Sequence, residues 1–202
     1  DKTETTESIS PETLAQVQGI SLSKAREISE NFRRQVGMRR LIEFLAAHHL
    51  PAELAMRLYR AYGELAVEAL QDDPYMLTQS YFGADFAVVD AFALELDVDA
   101  DDERRVEAGI IFELTFNQSN GHTFIPRDKL AAATAALLNL DVETILEGID
   151  RLAAMDQLVT DTVAGLDACY VPELYEAETN CTQRLLELAS THFPAPKGLE
   201  KM

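Results

Sequence analysis

The chain has 202 residues and carries 35 acidic against 17 basic side chains, which gives a formal net charge of -18 at pH 7. Such an excess of acid favours solubility and works against general attraction to nucleic acid or to anionic lipid. No apolar run is long enough to span a bilayer, and no signal peptide is visible. Cys169 and Cys181 lie too far apart for a C-x-x-C pair, so we expect free thiols in a cytoplasmic protein that makes no membrane contact.

The chain opens on a polar stretch, residues 1–9, which has the composition of a linker or a disordered segment. Ser10 then takes the cap position of a short helix, and Pro11 takes its first position, where a missing N–H costs nothing. We expect that helix to end near Val17.

Residues 17–22 and 81–86 have the same form: a glycine, a small polar residue two positions later, and an apolar residue that opens a helix. A glycine between two segments with helical apolar spacing is typical of a backbone that turns sharply with positive φ. We therefore expect one unit twice, as two helix-hairpin-helix elements centred on Gly19 and Gly83 within residues 10–97.

Such hairpins have a chemical use, because the hairpin and the first turn of the next helix expose backbone N–H groups that can bind a phosphate. Charge favours the first hairpin, since basic residues outnumber acidic ones in residues 22–60 whereas residues 61–103 contain no Lys or Arg. The candidate DNA-binding residues are Gln18, Gly19, Ile20, Ser21, Lys24, Arg33, Arg34, Arg39 and Arg40. The weaker candidates, in the second hairpin, are Phe82, Gly83, Ala84 and Asp85.

Four further features interrupt the helical spacing before the second half. Gly37 is expected to interrupt or end the helix that follows the first hairpin. Residues 48–51 form a corner, and their adjacent histidines diverge and so do not make a metal site. Residues 73–75 break the pattern again, since their proline lacks the N–H donor of a helix. Residues 98–103 are acidic enough for a solvated connector but lack the spacing of a calcium loop.

The second half, residues 104–190, changes character. A helix leads through the turn at Asn120 and Gly121 into a short extended piece at residues 122–126, and two more helices follow. Two short strands then pair across a loop that holds Gly165, and a last helix closes this half. The apolar positions expected on the buried sides of the last three helices are Leu130, Thr134, Leu137 and Leu138, then Val142, Ile145, Ile149 and Leu152, then Leu174, Ala177, Cys181, Leu185 and Leu188.

The expected fold class is therefore mainly α: a tandem helix-hairpin-helix bundle followed by a winged-helix-like domain with a small β-hairpin. A winged helix often binds DNA through its third helix. Here that helix is acidic and would repel a phosphate backbone, so we expect it to pack against another protein domain. Its charged residues are Glu143, Glu147, Asp150 and Arg151. Residues 191–202 have the composition of a second linker.

A set of mostly small, aromatic and proline residues, with a few polar residues and leucines, follows a definite order and spacing along the chain. They are Pro51, Ala52, Ala55, Tyr59, Tyr62, Gly63, Ala66, Asp73, Pro74, Tyr75, Leu77, Gly83, Phe86, Asp90, Gly121, His122, Thr123, Pro126 and Leu130. In this order and spacing they resemble the N-terminal region of the RecD-like DNA helicases, which are often described as exodeoxyribonuclease V alpha-subunit-like. The resemblance covers residues 14–188. Each short motif alone is not specific to this family, but the complete set in this order is.

The resemblance implies a superfamily 1 helicase that moves 5′ to 3′ on single-stranded DNA, in which these elements precede an ATP-driven motor. The phosphate-loop pattern G-x-x-x-x-G-K-[ST] is absent from the 202 residues, so ATP and Mg²⁺ are expected for the parent chain and no cofactor for this part. The implied role is non-catalytic, in DNA recombination or repair. This part would make weak contacts to single-stranded DNA and dock on its own C-terminal motor, or on a repair or replication protein.

Both hairpins depart from the family's Gly-Ile-Gly pattern, since Ser21 and Asp85 replace the second glycine. Ser21 can cap the next helix and leave N–H groups available, and Lys24 follows it. Asp85 would take those N–H groups with its own carboxylate and repel an incoming phosphate. Val88 stands where the first copy has its lysine. We therefore expect DNA contact at the first hairpin rather than at the second.

A second hypothesis is an acidic protein-interaction module with no direct DNA contact, because residues 61–103 and the third helix of the second half are acidic. An enzymatic role would need a nucleophile and a base that converge, and the candidates form no recognisable arrangement. They are Cys169, Cys181, His122 and His192. We expect neither a catalytic residue nor a metal site in this chain.

Overall fold

The computed structural model describes residues 10–191, so the predicted linkers lie outside it, except for Thr191. The described residues are mainly helical, as expected, and they contain a small antiparallel sheet of three strands rather than the two of the predicted hairpin. The chain divides between Asp99 and Ala100 into two compact units, which are described separately. Within residues 10–191, no helix is both long enough and apolar enough to cross a membrane.

The first unit is built from α-helices and two short 3-10 helices. The α-helices are α1 (Pro11–Leu14), α2 (Leu22–Ala47), α3 (Leu54–Tyr62), α4 (Ala66–Asp72) and α5 (Phe86–Glu95). The 3-10 helices are Gly63–Leu65, between α3 and α4, and Pro74–Thr78, before α5. The largest fully buried side chains of its core are Leu41, Leu45, Leu58, Leu70, Leu77 and Phe92.

The first helix is confirmed at its start and ends earlier than predicted. Ser10 caps α1, because its hydroxyl oxygen accepts the Thr13 N–H at 3.2 Å. The helix ends at Leu14 rather than near Val17. The N–H groups of Gln16 and Val17 bond three residues back, which tightens the chain before the hairpin.

Gly37 does not interrupt the helix, and the prediction that it would is wrong: α2 runs unbroken through 26 residues. The reason is packing. A Cβ atom on Gly37 would lie 3.0 Å from Cε2 and 3.2 Å from the hydroxyl oxygen of Tyr59 in α3. Glycine costs a helix about 1 kcal/mol relative to alanine. The close approach of α3 that it permits offsets that cost.

The chain turns between α2 and α3 at the predicted corner. His49 adopts a φ of 57° there. The ring of His48 packs against Phe44 and Phe92, with centroids 4.6 and 5.1 Å apart, and its Nδ1 lies 3.1 Å from Oε2 of Glu95. The two histidines therefore have separate surroundings.

A 3-10 helix precedes the second hairpin, where the repeat predicts a helix leading directly into the turn. Asp73 accepts the Tyr75 N–H at 3.1 Å, and the 3-10 helix Pro74–Thr78 starts from this cap. Four of its five residues are buried. Gly83 then turns with a φ of 64°, and α5 begins at Phe86.

Arg57 of α3 braces the second hairpin. Its Nη1 donates to the main-chain carbonyl of Tyr81 at 3.1 Å and to that of Phe82 at 2.6 Å. The buried Phe82 ring stacks on Tyr62 with centroids 6.5 Å apart, and Tyr81 meets it edge-on at 4.9 Å. A charged donor and packed rings thus hold the hairpin against the end of α3.

The second unit combines helices with the sheet. Its elements are α6 (Glu103–Ser119), β1 (Ile125–Pro126), α7 (Arg127–Leu138), α8 (Val142–Ala154), β2 (Val159–Val163), β3 (Leu166–Tyr170) and α9 (Pro172–Ser190). The strands lie in the order β1-β3-β2 and are antiparallel, with Ile125 paired to Cys169. The predicted hairpin is present, and Ala164 and Gly165 both have positive φ, which suits a two-residue turn.

Glycines also set the helix packing of the second unit. A Cβ atom on Gly148 of α8 would lie 2.6 Å from Cγ1 of Val106 in α6. Gly109 of α6 allows a similar approach by Leu138 of α7, whose Cδ1 would be 2.9 Å away. The buried Arg105 donates to the Leu138 carbonyl at 3.2 Å, which ties α6 to the end of α7.

The predicted connector is one residue too long. Asp102 caps α6 by accepting the Arg104 N–H at 2.9 Å, so the helix already begins at Glu103. The Arg104 guanidinium also bonds the carboxylate, and this hydrogen bond lowers the pKa of Asp102.

Two apolar positions of α7 and α8 are exposed, contrary to the prediction. Leu137 is 40% exposed, because α7 buries the side that carries Leu138 and successive helix positions point about 100° apart. Val142 is 45% exposed, since it is the first residue of α8 and precedes the buried Ile145.

The helix α9 forms where it is predicted, but no residue of it is buried within the described part of the chain. Leu174 is half-buried and Ala177 is exposed. Cys181 is also exposed, and Leu185 and Leu188 are 66% and 52% exposed. The apolar residues lie on one face of α9, but no described element covers that face.

Replacing Arg57 with methionine should destabilise the first unit, since two carbonyls lose a charged donor while the apolar stem is kept. Because the side chain is partly exposed, we expect the free energy of unfolding to fall by about 1–2 kcal/mol, measured by urea unfolding. Arg60→Met, also on α3, is the matched control and should change it by less than about 0.5 kcal/mol. Equal stability of Arg57→Met and the unmodified chain would contradict the bracing role.

Candidate nucleic-acid interface

The first hairpin joins α1 to α2 through Gly19, whose φ of 92° lies in the left-handed region. A Cβ atom there would have no neighbour within 4 Å, so the hairpin faces open space. Ser21 caps α2 as predicted, because its hydroxyl oxygen accepts the Lys24 N–H at 3.3 Å. Gln18 is exposed and Ile20 is half-buried.

Several backbone N–H groups of this hairpin have no acceptor within residues 10–191. They belong to Gly19, Ser21, Leu22 and Ser23. They sit at the start of a 26-residue helix, whose partial positive charge adds to theirs. An anion with several oxygen atoms can accept hydrogen bonds from such a group, and a DNA phosphate is an anion of this kind.

Lys24 adds a full positive charge beside these N–H groups. Its Nζ lies 2.9 Å from Oε2 of Glu27, and both side chains are more than half exposed. An exposed pair of this kind contributes little free energy. The ammonium group can therefore exchange Glu27 for a phosphate at little cost.

The second hairpin has a similar glycine turn, but three of its N–H groups are engaged within the protein. Those of Phe82 and Gly83 donate to the Gln79 carbonyl at 2.9 and 2.8 Å. That of Ala84 donates to the Leu77 carbonyl at 2.9 Å. None of these three is available to a phosphate unless the hairpin opens.

Side chains close the second hairpin further. Asp85 accepts the Ala87 N–H at 2.9 Å, as predicted for its carboxylate. The ring of Phe82 is buried, and Arg57 occupies the carbonyl of that residue. The turn therefore serves packing, and its carboxylate repels anions.

The four candidate arginines of α2 do not form one strip. Arg33 and Arg40 line a cleft of about 270 Å³ between α2 and residues 63–67. Arg34 and Arg39 line a wider groove of about 610 Å³ that also includes Met56 of α3. Positions seven apart lie on nearly the same side of a helix, whereas neighbouring positions diverge by about 100°. Arg33 and Arg40 therefore point to nearly the same side of α2, whereas Arg34 and Arg39, five positions apart, diverge by about 140° and both border the wider groove.

The four differ in whether a carboxylate neutralises them. Arg39 donates to Oε1 of Glu43 at 2.8 Å, and this hydrogen bond raises the pKa of Arg39. Across the described part of the chain, no carboxylate lies within ion-pair distance of Arg33, Arg34 or Arg40. In the second unit, by contrast, carboxylates pair with Arg104, Arg127, Arg151 and Arg184.

The third helix of the second unit, α8, exposes acidic side chains to solvent. Its arginine, Arg151, lies 3.3 Å from Glu107, and Asp150 pairs with Arg127 at 2.7 Å. Glu143 is exposed. This face would repel a phosphate backbone.

Groups that could hold a metal or act as nucleophiles are sparse. Residues 10–191 contain no cluster of three or more His, Cys, Asp or Glu side chains that could hold a metal ion. Cys169 is a buried free thiol, and burial raises its pKa to about 11, so little thiolate exists at neutral pH. Cys181 is a free thiol exposed on α9.

Two features of this surface have no direct signal in the sequence. Arg57 reaches carbonyls that are 24 and 25 residues away. The cleft beside Arg33 is completed by residues 63–67. The Arg57 hydrogen bonds and the cleft both depend on how α2, α3 and α4 pack. A glycine inside a helical pattern, here Gly37, is the one sequence feature that marks such a close approach.

Comparison with known proteins finds a matching family model and a similar curated protein. Residues 34–124 match the family model of the ATP-dependent RecD2 DNA helicase helix-hairpin-helix domain. That range begins within α2 and ends before β1, so it contains the second hairpin and not the first.

The chain is also 27% identical over 192 residues to the ATP-dependent RecD2 DNA helicase of Deinococcus radiodurans. The match covers 90% of this chain and 27% of the relative, so the chain spans about a quarter of the length of that curated protein. The two matches agree with the resemblance that the ordered small and aromatic residues indicate. The chain therefore carries a RecD-like helix-hairpin-helix region, similar to that of the RecD2 DNA helicases.

Proposed function

We propose that the first unit is a non-catalytic accessory region of a RecD-like helicase and makes weak contacts to the backbone of single-stranded DNA. The observation that carries this proposal is the set of open N–H groups of Gly19, Ser21, Leu22 and Ser23. They lie at the start of the helix that holds Arg33, Arg34 and Arg40. Few phosphates could be neutralised, so binding should be salt-sensitive.

The family match does not extend to the first hairpin, which lies before residues 34–124. The proposed contact therefore rests on geometry and charge. The contrast with the second hairpin supports it: Gly83 and Ala84 already donate to carbonyls, whereas Gly19 does not.

For the parent protein we propose ATP-driven, 5′ to 3′ unwinding in DNA recombination or repair. The similarity to the ATP-dependent RecD2 DNA helicase of Deinococcus radiodurans supports this proposal. ATP and Mg²⁺ would bind to a motor outside these 202 residues, since their sequence contains no phosphate-loop pattern. We assign the protein to the cytoplasm, a reducing compartment in which both free thiols, Cys169 and Cys181, would persist.

We further propose that the second unit is a winged-helix-like domain. The chain order α6, β1, α7, α8, β2, β3 and the sheet order β1-β3-β2 support this assignment. Because α8 exposes acidic side chains, the domain would pack against protein rather than enter a DNA groove.

Fluorescence anisotropy with a labelled single-stranded oligonucleotide tests the DNA contact. We expect binding at low salt, and Lys24→Glu should weaken it roughly three- to tenfold and reduce the salt slope by about one phosphate contact. Lys129→Glu makes the same charge change on α7 of the second unit and should leave binding unaltered. Failure to bind at low salt, or equal affinity before and after Lys24→Glu, would count against the proposal.

A second candidate function is protein docking without direct DNA contact, and α9 supports it. Leu185, Leu186 and Leu188 are 66%, 61% and 52% exposed. Cys181, Leu185 and Leu188 also have the spacing of one helix face. A partner that covers this face would bury apolar surface that the described residues leave in water. We propose the protein's own motor as that partner, with a repair or replication protein as the alternative.

Co-elution in size-exclusion chromatography with the separately produced motor of the same protein tests this docking. The double substitution Leu185→Asp and Leu188→Asp should abolish co-elution, because it places charge in the buried face. Gln183→Asp, on the opposite side of α9, is the matched control and should preserve it. If the leucine substitutions left co-elution unchanged, or if no complex formed, docking through α9 would be ruled out.

A further inference from the structure

We propose that the cleft between α2 and residues 63–67 holds one unstacked nucleobase of a bound single strand, with Arg33 and Arg40 on the phosphates at either side. This inference rests on the proposed DNA contact and adds a base-binding pocket to it. The pocket lies on α2, well beyond the first hairpin in the chain, and it uses side chains rather than backbone N–H groups.

The size of the cleft suits one flat heterocycle. Its volume is about 270 Å³, near the lower end of the roughly 300–1,000 Å³ of small-ligand pockets. A groove of this volume is too small for a docked helix, which needs a long apolar trough. The lining residues are Phe32, Arg33, Val36, Gly37, Arg40, Leu41, Gly63, Glu64, Ala66 and Val67.

The interior of the cleft is mainly apolar, whereas its cations lie on one helix. Phe32, Val36 and Val67 are half-buried and offer surfaces against which a base face can pack. Every base has such a face, so contact of this kind tolerates different sequences. Gly63 has no side chain, and a Cβ atom there would have no neighbour within 4 Å, which leaves room at this wall of the cleft.

The two arginines are placed for separate phosphates. Seven helical positions separate Arg33 from Arg40, which is about 10 Å along the axis of α2. This spacing along one wall of the cleft suits contacts to two successive phosphates of a strand. Neither has a carboxylate within ion-pair distance in residues 10–191, although the chain as a whole has a net charge of -18. An anion is the partner that such a pair lacks.

Glu64 decides which part of a nucleotide would enter the cleft. It is the acidic residue of the lining, and its carboxylate would repel a phosphate from the interior. The same carboxylate can accept a hydrogen bond from the amino group of a base. The charges therefore favour a base inside and phosphates outside.

Anisotropy measurements with two fluorescent oligonucleotides of equal length and charge test this inference. One is a cytosine 15-mer, and the other is the same backbone with abasic tetrahydrofuran sites throughout. We expect the cytosine strand to bind the complete chain roughly five- to fiftyfold more tightly. Val67→Phe, which fills the cleft, should lower the affinity of the cytosine strand to that of the abasic strand and leave the abasic strand unaffected. Circular dichroism and thermal unfolding check that the variant folds.

The outcomes separate the two proposals. If both strands bind the unmodified chain equally well, the base pocket is wrong and the backbone contact stands. If neither strand binds, both proposals fall. If Val67→Phe weakens both strands equally, the cleft does not hold a base. The comparison of the two strands needs no variant, so equal binding of the two strands would overturn the base pocket even if Val67→Phe does not fold.

Discussion

The contact between Gly37 and Tyr59 is the constraint on which the first unit depends. Because Gly37 has no Cβ atom, the Tyr59 ring can pack closely against α2. A Cβ atom at Gly37 would lie only 3.0 Å from Cε2 of that ring. This lets α2 remain one continuous helix while α3 packs against its middle. It also leaves a cleft on one side of α2 and a groove on the other, each lined by two arginines. The positive charge of α2 is divided because of this packing.

The two hairpins turn in a similar way, but their backbone N–H groups differ in whether they are hydrogen-bonded within the protein. At Gly83, the preceding 3-10 helix brings carbonyls within reach of the turn, so the N–H groups of Phe82, Gly83 and Ala84 are bonded internally. At Gly19, the preceding helix is only four residues long and ends before the turn, so N–H groups remain open. Arg57 then holds the closed hairpin through its carbonyls. One hairpin is closed by packing, and the other leaves N–H groups without an acceptor in residues 10–191.

Local features of this fold can be predicted from the sequence. The caps at Ser10, Ser21 and Asp141, and the positive φ of Gly19 and Gly83, follow from side-chain chemistry within three residues or from the lack of a Cβ atom. The helical majority follows in the same way from the apolar spacing.

Features that depend on distant contacts could not be predicted. Gly37 was expected to break α2, because the tyrosine that compensates for it lies 22 positions later in the chain. The stripe on α9 has the correct spacing but lacks a covering element within residues 10–191, and spacing alone cannot supply one. That Arg33 and Arg40 share one side of α2 follows from α-helical geometry only once α2 is known to be continuous.

The central claim is that the first hairpin is open and the second closed. Hydrogen exchange at individual backbone amides, with and without a single-stranded oligonucleotide, tests it most directly. Without DNA, the amides of Gly19, Ser21 and Leu22 should exchange rapidly, and those of Gly83 and Ala84 slowly; DNA should slow the first set and leave the second unchanged. Fast exchange at Gly83 and Ala84, or protection by DNA at that hairpin alone, would contradict the account.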